Sequence, residues 1–294
     1  MPDVKEISQS TKLVGVIGHP LKHSYSPFMH NLAFTLTDLD YLYLPFDITS
    51  NNLKDALKGM VALGITGFNV TIPHKEKVIP FLNEVSEAAS IVGAVNTIVN
   101  DNGILYGHNT DVHGIYETLK EYKKDLSKSV VSIFGAGGAA RSVVFTLLRY
   151  FHVKKIHLIN RTVERADIIK TYFSEKMLYD RIKTHSLYPP DLIKVLSKSK
   201  LIINASSIGM YPKEDDSPTK IAESFNSNQL VFDIVYNPIS TKFLRLAARE
   251  GATTINGLKM FVEQGARSFE LWTGKPMPVE EVYAALKSQL KEEL

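Results

Sequence analysis

Short apolar runs alternate with amphipathic stretches along almost the whole chain, a rhythm that predicts an α/β protein. "LVGVIG" (13–18) and "YLYLPFDI" (41–48) read as strands flanking a helix that starts at Pro27. A second helix over "NNLKDALKGMVALG" closes at Gly64, and "GFNVT" (67–71) follows as a third strand. A further helical stretch leads to "AVNTIV" and "ILYGH", joined by "NDNG", which predicts a hairpin. Near residue 112 the rhythm changes. "VVSIF", "KIHLIN", "KTHSL", "LIINAS", "LVFDIVY" and "TTING" are strand candidates separated by helical segments such as "ARSVVFTLLRY" and "TKFLRLAARE". Six strands with intervening helices fit a doubly wound parallel sheet. The last segment, "GLKMFVEQGARSFELWTG" and onward, is helical and is expected to return to the first domain. The expected organisation is a two-domain α/β protein: residues 1–111 with 258–294, and residues 112–257 as a Rossmann-type domain.

Composition narrows the function classes. The 294 residues suffice for two domains of ordinary size. With 34 basic and 31 acidic side chains the net charge is only +3, and there is no long Lys/Arg block, so no nucleic-acid partner is expected. Cysteine is absent, which excludes disulfides, thiolate metal sites and a cysteine nucleophile. His19 and His23 stand four apart, but Pro20 spoils a helical ligand pair, and no metal site is expected. The N-terminus is polar and no apolar run reaches bilayer length, so the expectation is a soluble cytoplasmic protein without a membrane partner.

"VVSIFGAGGAAR" places Gly135, Gly137 and Gly138 between an apolar strand and an amphipathic helix, with Ala140 at the third small position. Glycines there allow a tight turn and let phosphates approach backbone N–H groups at a helix N-terminus, the pattern of dinucleotide binding. The next strand end, "KIHLINRTVER", sets the cofactor expectation. An NAD site usually carries an acid there for the ribose 2′-hydroxyl. Here Asn160 and Arg161 stand instead, with Thr162 and Arg165 nearby. Guanidinium groups hold a 2′-phosphate that a carboxylate would repel, which favours NADP(H).

Three further stretches carry candidate chemistry. In "HPLKHSYSPFMH", Pro27 favours extended backbone at Ser26, which would set the Ser24 and Ser26 hydroxyls on one side. Ser26 would also suit a helix N-cap. The pair is either a loop entering a helix or an anion cradle for a carboxylate. In "GFNVTIPHKEKV", Pro73 suits the first position of a helix, which would put Lys75 at the positive end of its dipole. That placement fits a proton-shuttling lysine, and equally a solvated one. In "GHNTDVHG", Asp111 follows a hairpin that also presents Asn96. It is either a helix-start residue or one of an Asn, Asp and Lys set able to bind a polyhydroxylated ring.

Taken in order, "HSYSP", "GFNVTIPHK", "GAVNT", "GHNTDVHG", "GAGGAAR", "NRTVER", "DIVYNP" and "GLKMFVEQGARSFELWTG" resemble shikimate dehydrogenases, from about residue 13 to 276. The resemblance implies reversible NADPH-dependent reduction of 3-dehydroshikimate to shikimate. It implies that Ser24 and Ser26 hold the substrate carboxylate, and that Asn69, Thr71, Asn96 and Gln264 contact the ring hydroxyls or order the pocket, with Tyr236 approaching. Lys75 and Asp111 would form the catalytic pair. The cofactor would lie on Gly135, Ala136, Gly137, Gly138 and Ala139, on Asn160, Arg161, Thr162 and Arg165, and near Ile234 and Gly257. Two departures are small: "SYS" for the commoner "SLS", and "NASSIGM" for "NATSxGM". The partner expected is this small acid, and a homodimer is left open.

Rivals are weaker. Tyr116 and Lys120 have the Tyr-x3-Lys spacing of short-chain dehydrogenases, but they precede the glycine loop instead of following it. A folate-processing dehydrogenase uses such a pair on a similar plan, but the serine pair and "NVTIPHK" argue against it. A dual-specificity quinate/shikimate enzyme is the closer alternative. An NADP-binding regulator without catalysis is opposed by the presence of both Lys75 and Asp111.

Overall fold

The computed structural model describes residues 7–21, 24–188 and 191–292. It divides into two compact units, residues 1–110 with 264–286, and residues 111–263 with 287–294. The expected return of the C-terminus to the first unit thus applies to 264–286, and the unit boundary falls inside a helix.

The first unit runs β1 (Lys12–Gly18), α1 (Ser26–Leu36), β2 (Tyr41–Asp47), α2 (Leu53–Ala62), β3 (Gly67–Val70), β4 (Glu84–Val85), α3 (Glu87–Val92), β5 (Thr97–Asp101) and β6 (Ile104–His108). Its sheet has the order β2-β1-β3-β5-β6-β4. β1 pairs parallel with β2 and β3, while β5 pairs antiparallel with β3 and β6. The sequence explains the placement. β1 and β3 are nearly continuous apolar runs, as strands covered on both faces must be. β2 carries Pro45, which a central strand would not tolerate, and it lies at the edge. The hairpin turns through Asn102 and Gly103 at φ 51° and 94°, the left-handed pair that suits two-residue loops. β4 was not foreseen: two residues are too short for a period, and its pairing with β6 makes it visible.

Two further expectations fail. Ser26 is neither extended nor a cap: α1 begins at Ser26, and its N–H donates to Ser24 Oγ at 3.3 Å. Nor does a helix begin at Pro73. Residues 72–78 form turns that reach only the short 3₁₀ segment Ile79–Phe81, so Lys75 has no helix dipole behind it.

The second unit continues with α4 (Asp111–Leu119), α5 (Lys123–Leu126), β7 (Val130–Phe134), α6 (Gly138–Thr146), β8 (Lys155–Ile159), α7 (Val163–Met177), β9 (Ile182–His185), α8 (Leu192–Ser197), β10 (Leu201–Asn204), β11 (Leu230–Asp233), α9 (Lys242–Arg249) and β12 (Thr253–Ile255). α10 (Leu258–Thr273) and α11 (Val279–Glu292) follow. The strand order β12-β11-β10-β7-β8-β9, all parallel, is the doubly wound arrangement, with its switch between β7 and β10. Phe134, Phe232 and Phe243 are fully buried in this unit, each contributing about 1.5–3 kcal/mol by leaving water. Among the described residues no helix is long and apolar enough to cross a membrane.

Trp272, near the end of α10, fastens residues 264–286 to the first sheet. Its Nε1 donates to the Ile98 carbonyl at 3.0 Å, and its own carbonyl accepts the Tyr41 hydroxyl at 3.1 Å. Trp272→Ala is expected to cost about 3–5 kcal/mol of stability, read by urea denaturation. A loss below about 1 kcal/mol would show that these contacts are dispensable.

Candidate active site

In the second unit, the loops after β7 and β10 meet at the switch in strand order. Gly135 has φ +111°, and a Cβ there would lie 2.8 Å from the Ala205 carbonyl oxygen, so only glycine fits. Ala136 and Gly137 complete the loop, and Gly138 and Ala139 open α6, whose first turn has no acidic residue. An anion placed there would meet backbone N–H groups and the positive helix end. Beyond β8, Asn160 donates from Nδ2 to the Thr162 carbonyl at 2.8 Å. Thr162 stands at the N-cap of α7 without a side-chain capping bond. Arg161 and Arg165 are exposed, and among the described residues neither makes an ion pair. Two exposed guanidinium groups, with Asn160 instead of an acid at the strand end, suit a phosphate ester better than a bare ribose diol.

Ile234 and Gly257 come together: a Cβ on Gly257 would lie 2.1 Å from the Ile234 carbonyl oxygen. The Tyr236 ring stacks on Phe261 of α10 at 4.0 Å and 17°. Beneath this loop lies Asp233, a buried carboxyl with three donors. Oδ1 accepts Asn204 Nδ2 at 2.9 Å and the Val235 N–H at 3.0 Å, while Oδ2 accepts the Thr241 hydroxyl at 2.7 Å. Asn204 Oδ1 takes the Ser206 N–H and hydroxyl in turn. One carboxyl therefore pins both loops. Its burial pushes the pKa up to about 7, against the pull of the three donors.

In the first unit, Asn69, Asn96 and Gln264 form one hydrogen-bonded group. Asn69 Nδ2 donates to the Asn96 carbonyl at 3.3 Å, and Asn96 Nδ2 to Gln264 Oε1 at 3.4 Å. Asn96 Oδ1 accepts the Thr110 N–H at 2.6 Å, which fixes the residue preceding Asp111. Asp111 itself is buried and opens α4. The half-buried Lys75 sits in the turns after β3. Its carbonyl accepts the Val95 N–H at 2.8 Å, and neighbouring His74 anchors the loop through Nε2 to the Ile48 carbonyl at 2.6 Å. Thr71 donates its N–H to Ile17 at the end of β1. Ser24 and Ser26 stand at the N-terminal end of α1. His19 pairs with Asp47 at 2.5 Å, and its sequence partner His23 lies outside the described residues.

Three family models match this chain: the shikimate dehydrogenase substrate binding domain over residues 16–98, shikimate/quinate 5-dehydrogenase over 117–242, and the shikimate 5′-dehydrogenase C-terminal domain over 257–287. A curated relative from Caldanaerobacter subterraneus subsp. tengcongensis, named shikimate dehydrogenase (NADP(+)), is 40% identical over 287 residues, 97% of this chain and 100% of that protein. The chain belongs to the shikimate dehydrogenase family. A second relative of the same name, from Methanococcus maripaludis (strain C7), is 41% identical, covering 96% of this chain and 98% of its own. A crystal structure of a shikimate dehydrogenase in complex with NADP+ matches at a TM-score of 0.90 and 40% identity, covering 99% of both chains.

The Tyr-x3-Lys pair of other dehydrogenases has no such place in this shikimate dehydrogenase fold. Tyr116 packs its ring 5.3 Å from Tyr150, and Lys120 pairs with Glu117 at 2.6 Å. The sequence reading missed Tyr43, Thr97, Thr110 and Ser268, which bond the Asn69 and Asn96 side chains, and Asp233. Thr97, Thr110, Asp233 and Ser268 all lie inside the motifs of the resemblance, and Tyr43 inside a strand candidate, but nothing local marks their pairing with the asparagines.

Asp233 gives a pH prediction. Its proton is bound more tightly in the folded than in the unfolded chain. The stability it contributes is therefore present at low pH and lost as pH rises from about 4 to about 7. Asp233→Asn is expected to gain thermal stability relative to the parent as pH rises through that window. A pH-independent difference in melting temperature would contradict it.

Proposed function

We infer that this chain catalyses the reversible reduction of 3-dehydroshikimate to shikimate with NADPH, a step of chorismate and aromatic amino-acid biosynthesis. The observation that carries the reading is the hydrogen-bonded group of buried Asn69 and Asn96 with half-buried Gln264, tied through the 95–96 segment to the backbone of Lys75. It offers amide donors and acceptors for ring hydroxyls next to a candidate acid–base residue.

NADPH supplies the hydride to the C3 carbonyl carbon. Gly135 to Ala139 cradle its phosphates, Asn160, Arg161, Thr162 and Arg165 hold the 2′-phosphoryl end, and Ile234 and Gly257 flank the nicotinamide. Ser24 and Ser26 bind the substrate carboxylate by their hydroxyls. Asn69, Thr71, Asn96, Gln264 and Tyr236 orient the ring. As negative charge develops on the C3 oxygen, the Lys75 ammonium stabilises it and donates the proton that completes the C3 hydroxyl. Asp111 is the second member of the catalytic pair. Lys75 regains its proton from solvent, and in the oxidative direction the same groups run in reverse. Every residue named comes from one chain, so a monomer or a homodimer would serve, and we place the enzyme in the cytoplasm.

Absorbance at 340 nm tests the reading, with shikimate and quinate each offered with NADP+ and NAD+. The second family model also names quinate, which makes it the proper competitor. Shikimate with NADP+ is expected to give the fastest reduction. No reduction with either acid would overturn the reading, and faster turnover of quinate would reassign the substrate. Lys75→Ala is expected to lower kcat by about 10²–10⁴ while NADP+ affinity stays within about 2-fold. Unimpaired turnover would remove Lys75 from the chemistry. Replacing Arg161 and Arg165 together by Ala is expected to raise KM for NADP+ by about 10-fold or more and leave that for NAD+ nearly unchanged. Equal losses for both cofactors would dissociate the arginines from the 2′-phosphate.

A further inference from the structure

We propose that Tyr43 and Ser268 are positioning residues for substrate recognition: their buried hydroxyls hold the Asn69 side chain in one orientation, with its amide oxygen as the group offered to the ligand. The inference rests on the reading above that Asn69 faces shikimate.

The Asn96 backbone carbonyl can only accept, and Asn69 Nδ2 lies 3.3 Å from it, so the Asn69 amide nitrogen must point that way. Asn69 Oδ1 then faces the Tyr43 hydroxyl at 2.7 Å, and that hydroxyl donates. Asn69 Nδ2 also lies 3.1 Å from Thr97 Oγ1 and 3.0 Å from Ser268 Oγ. Its two hydrogens are thus committed among three acceptors, so a ligand contact of Asn69 falls to Oδ1, which the Tyr43 hydroxyl and the buried His30 ring also face.

Ser268 is the hub. It is fully buried on α10, and its hydroxyl donates to the Gln264 carbonyl at 3.0 Å. With its hydrogen spent there, Ser268 Oγ accepts from Asn69, and from Thr97 at 2.8 Å or Thr110 at 3.1 Å. One side chain therefore links three of the residues read as ring contacts or pocket formers: Asn69 directly, Gln264 through its carbonyl, and Asn96 through Thr110, whose hydroxyl accepts Asn96 Nδ2 at 2.9 Å.

Tyr43 is fixed from the other side. The Asn31 side chain pairs with its backbone as a strand would, accepting the Tyr43 N–H at 2.9 Å and donating to its carbonyl at 3.0 Å. The ring of His30 stacks on Tyr43 at 4.5 Å and 9°. His30 and Asn31 belong to α1, the helix that carries Ser26 at its start. The carboxylate end and the hydroxyl end of the proposed pocket are thereby joined by one rigid path.

Kinetics of Tyr43→Phe, Ser268→Ala, Asn69→Ala and the double variant Tyr43→Phe/Asn69→Ala test this. Each single variant is expected to raise KM for shikimate by about 10-fold, with KM for NADP+ within about 2-fold of the parent. Tyr43→Phe is expected to add nothing in the Asn69→Ala background, because its hydroxyl acts through Asn69. An unchanged shikimate KM in Tyr43→Phe and Ser268→Ala, with Asn69→Ala still impaired, would overturn the positioning role and leave the functional reading standing. Additive losses in the double variant, or parallel losses for shikimate and NADP+, would show a general packing role and overturn it too. If Asn69→Ala itself binds shikimate normally, the reading of Asn69 falls and the inference with it.

Discussion

The Asn96 side chain accepting the Thr110 N–H at 2.6 Å is the interaction on which the first unit's proposed chemistry depends. Both groups are buried, and an unpaired amide there would cost about 1–3 kcal/mol, so the fold cannot release one without disturbing the other. Through it the hairpin strand β5 dictates where the chain leaves β6. Asn96 donates its own backbone N–H to His108, and Val95 beside it holds the Lys75 carbonyl. The segment before Asp111 and the loop carrying Lys75 are therefore positioned from the same two residues. Catalytic groups on loops need such a scaffold, because loops alone do not hold geometry.

The second unit solves a different problem with different physics. Its ligand is expected to be highly charged, and the structure offers fixed positive potential instead of a buried neutral network: a helix start free of acid in its first turn, and two exposed arginines beyond β8. The buried carboxyl of Asp233 is turned inward to tie the loops after β10 and β11 together. In the first unit the buried groups are neutral amides and hydroxyls, matched to a ligand rich in hydroxyls. Buried His30 fits that pattern, since burial lowers its pKa to about 3 and keeps its ring uncharged against Tyr43.

Much of this was legible from sequence because the signals are local. Parallel central strands appear as apolar runs, so "VVSIF" and "LIIN" announce themselves, and a glycine cluster after such a run has few other uses. Local reasoning failed where a proline has two readings. Pro27 by itself favours an extended Ser26, yet Ser26 is already helical; Pro73 by itself suits a helix start, yet only turns follow. At Pro73 tertiary contacts compete with a helix: Thr71 is bound to β1 and His74 to Ile48. What sequence could not show is pairing across large separations. Tyr43, Asn69 and Ser268 meet only after α10 has packed on the sheet, and no period or motif connects them.

In the function proposed for this chain, the buried amide and hydroxyl group of the first unit receives the substrate ring beside Lys75. A crystal structure with shikimate and NADP+ bound tests it most directly. It is predicted to show the carboxylate on the Ser24 and Ser26 hydroxyls, a ring hydroxyl donating to Asn69 Oδ1, and Lys75 Nζ within hydrogen-bond distance of the C3 oxygen. Shikimate bound away from Asn69 and Asn96, or a Lys75 side chain directed into bulk solvent in that complex, would contradict it.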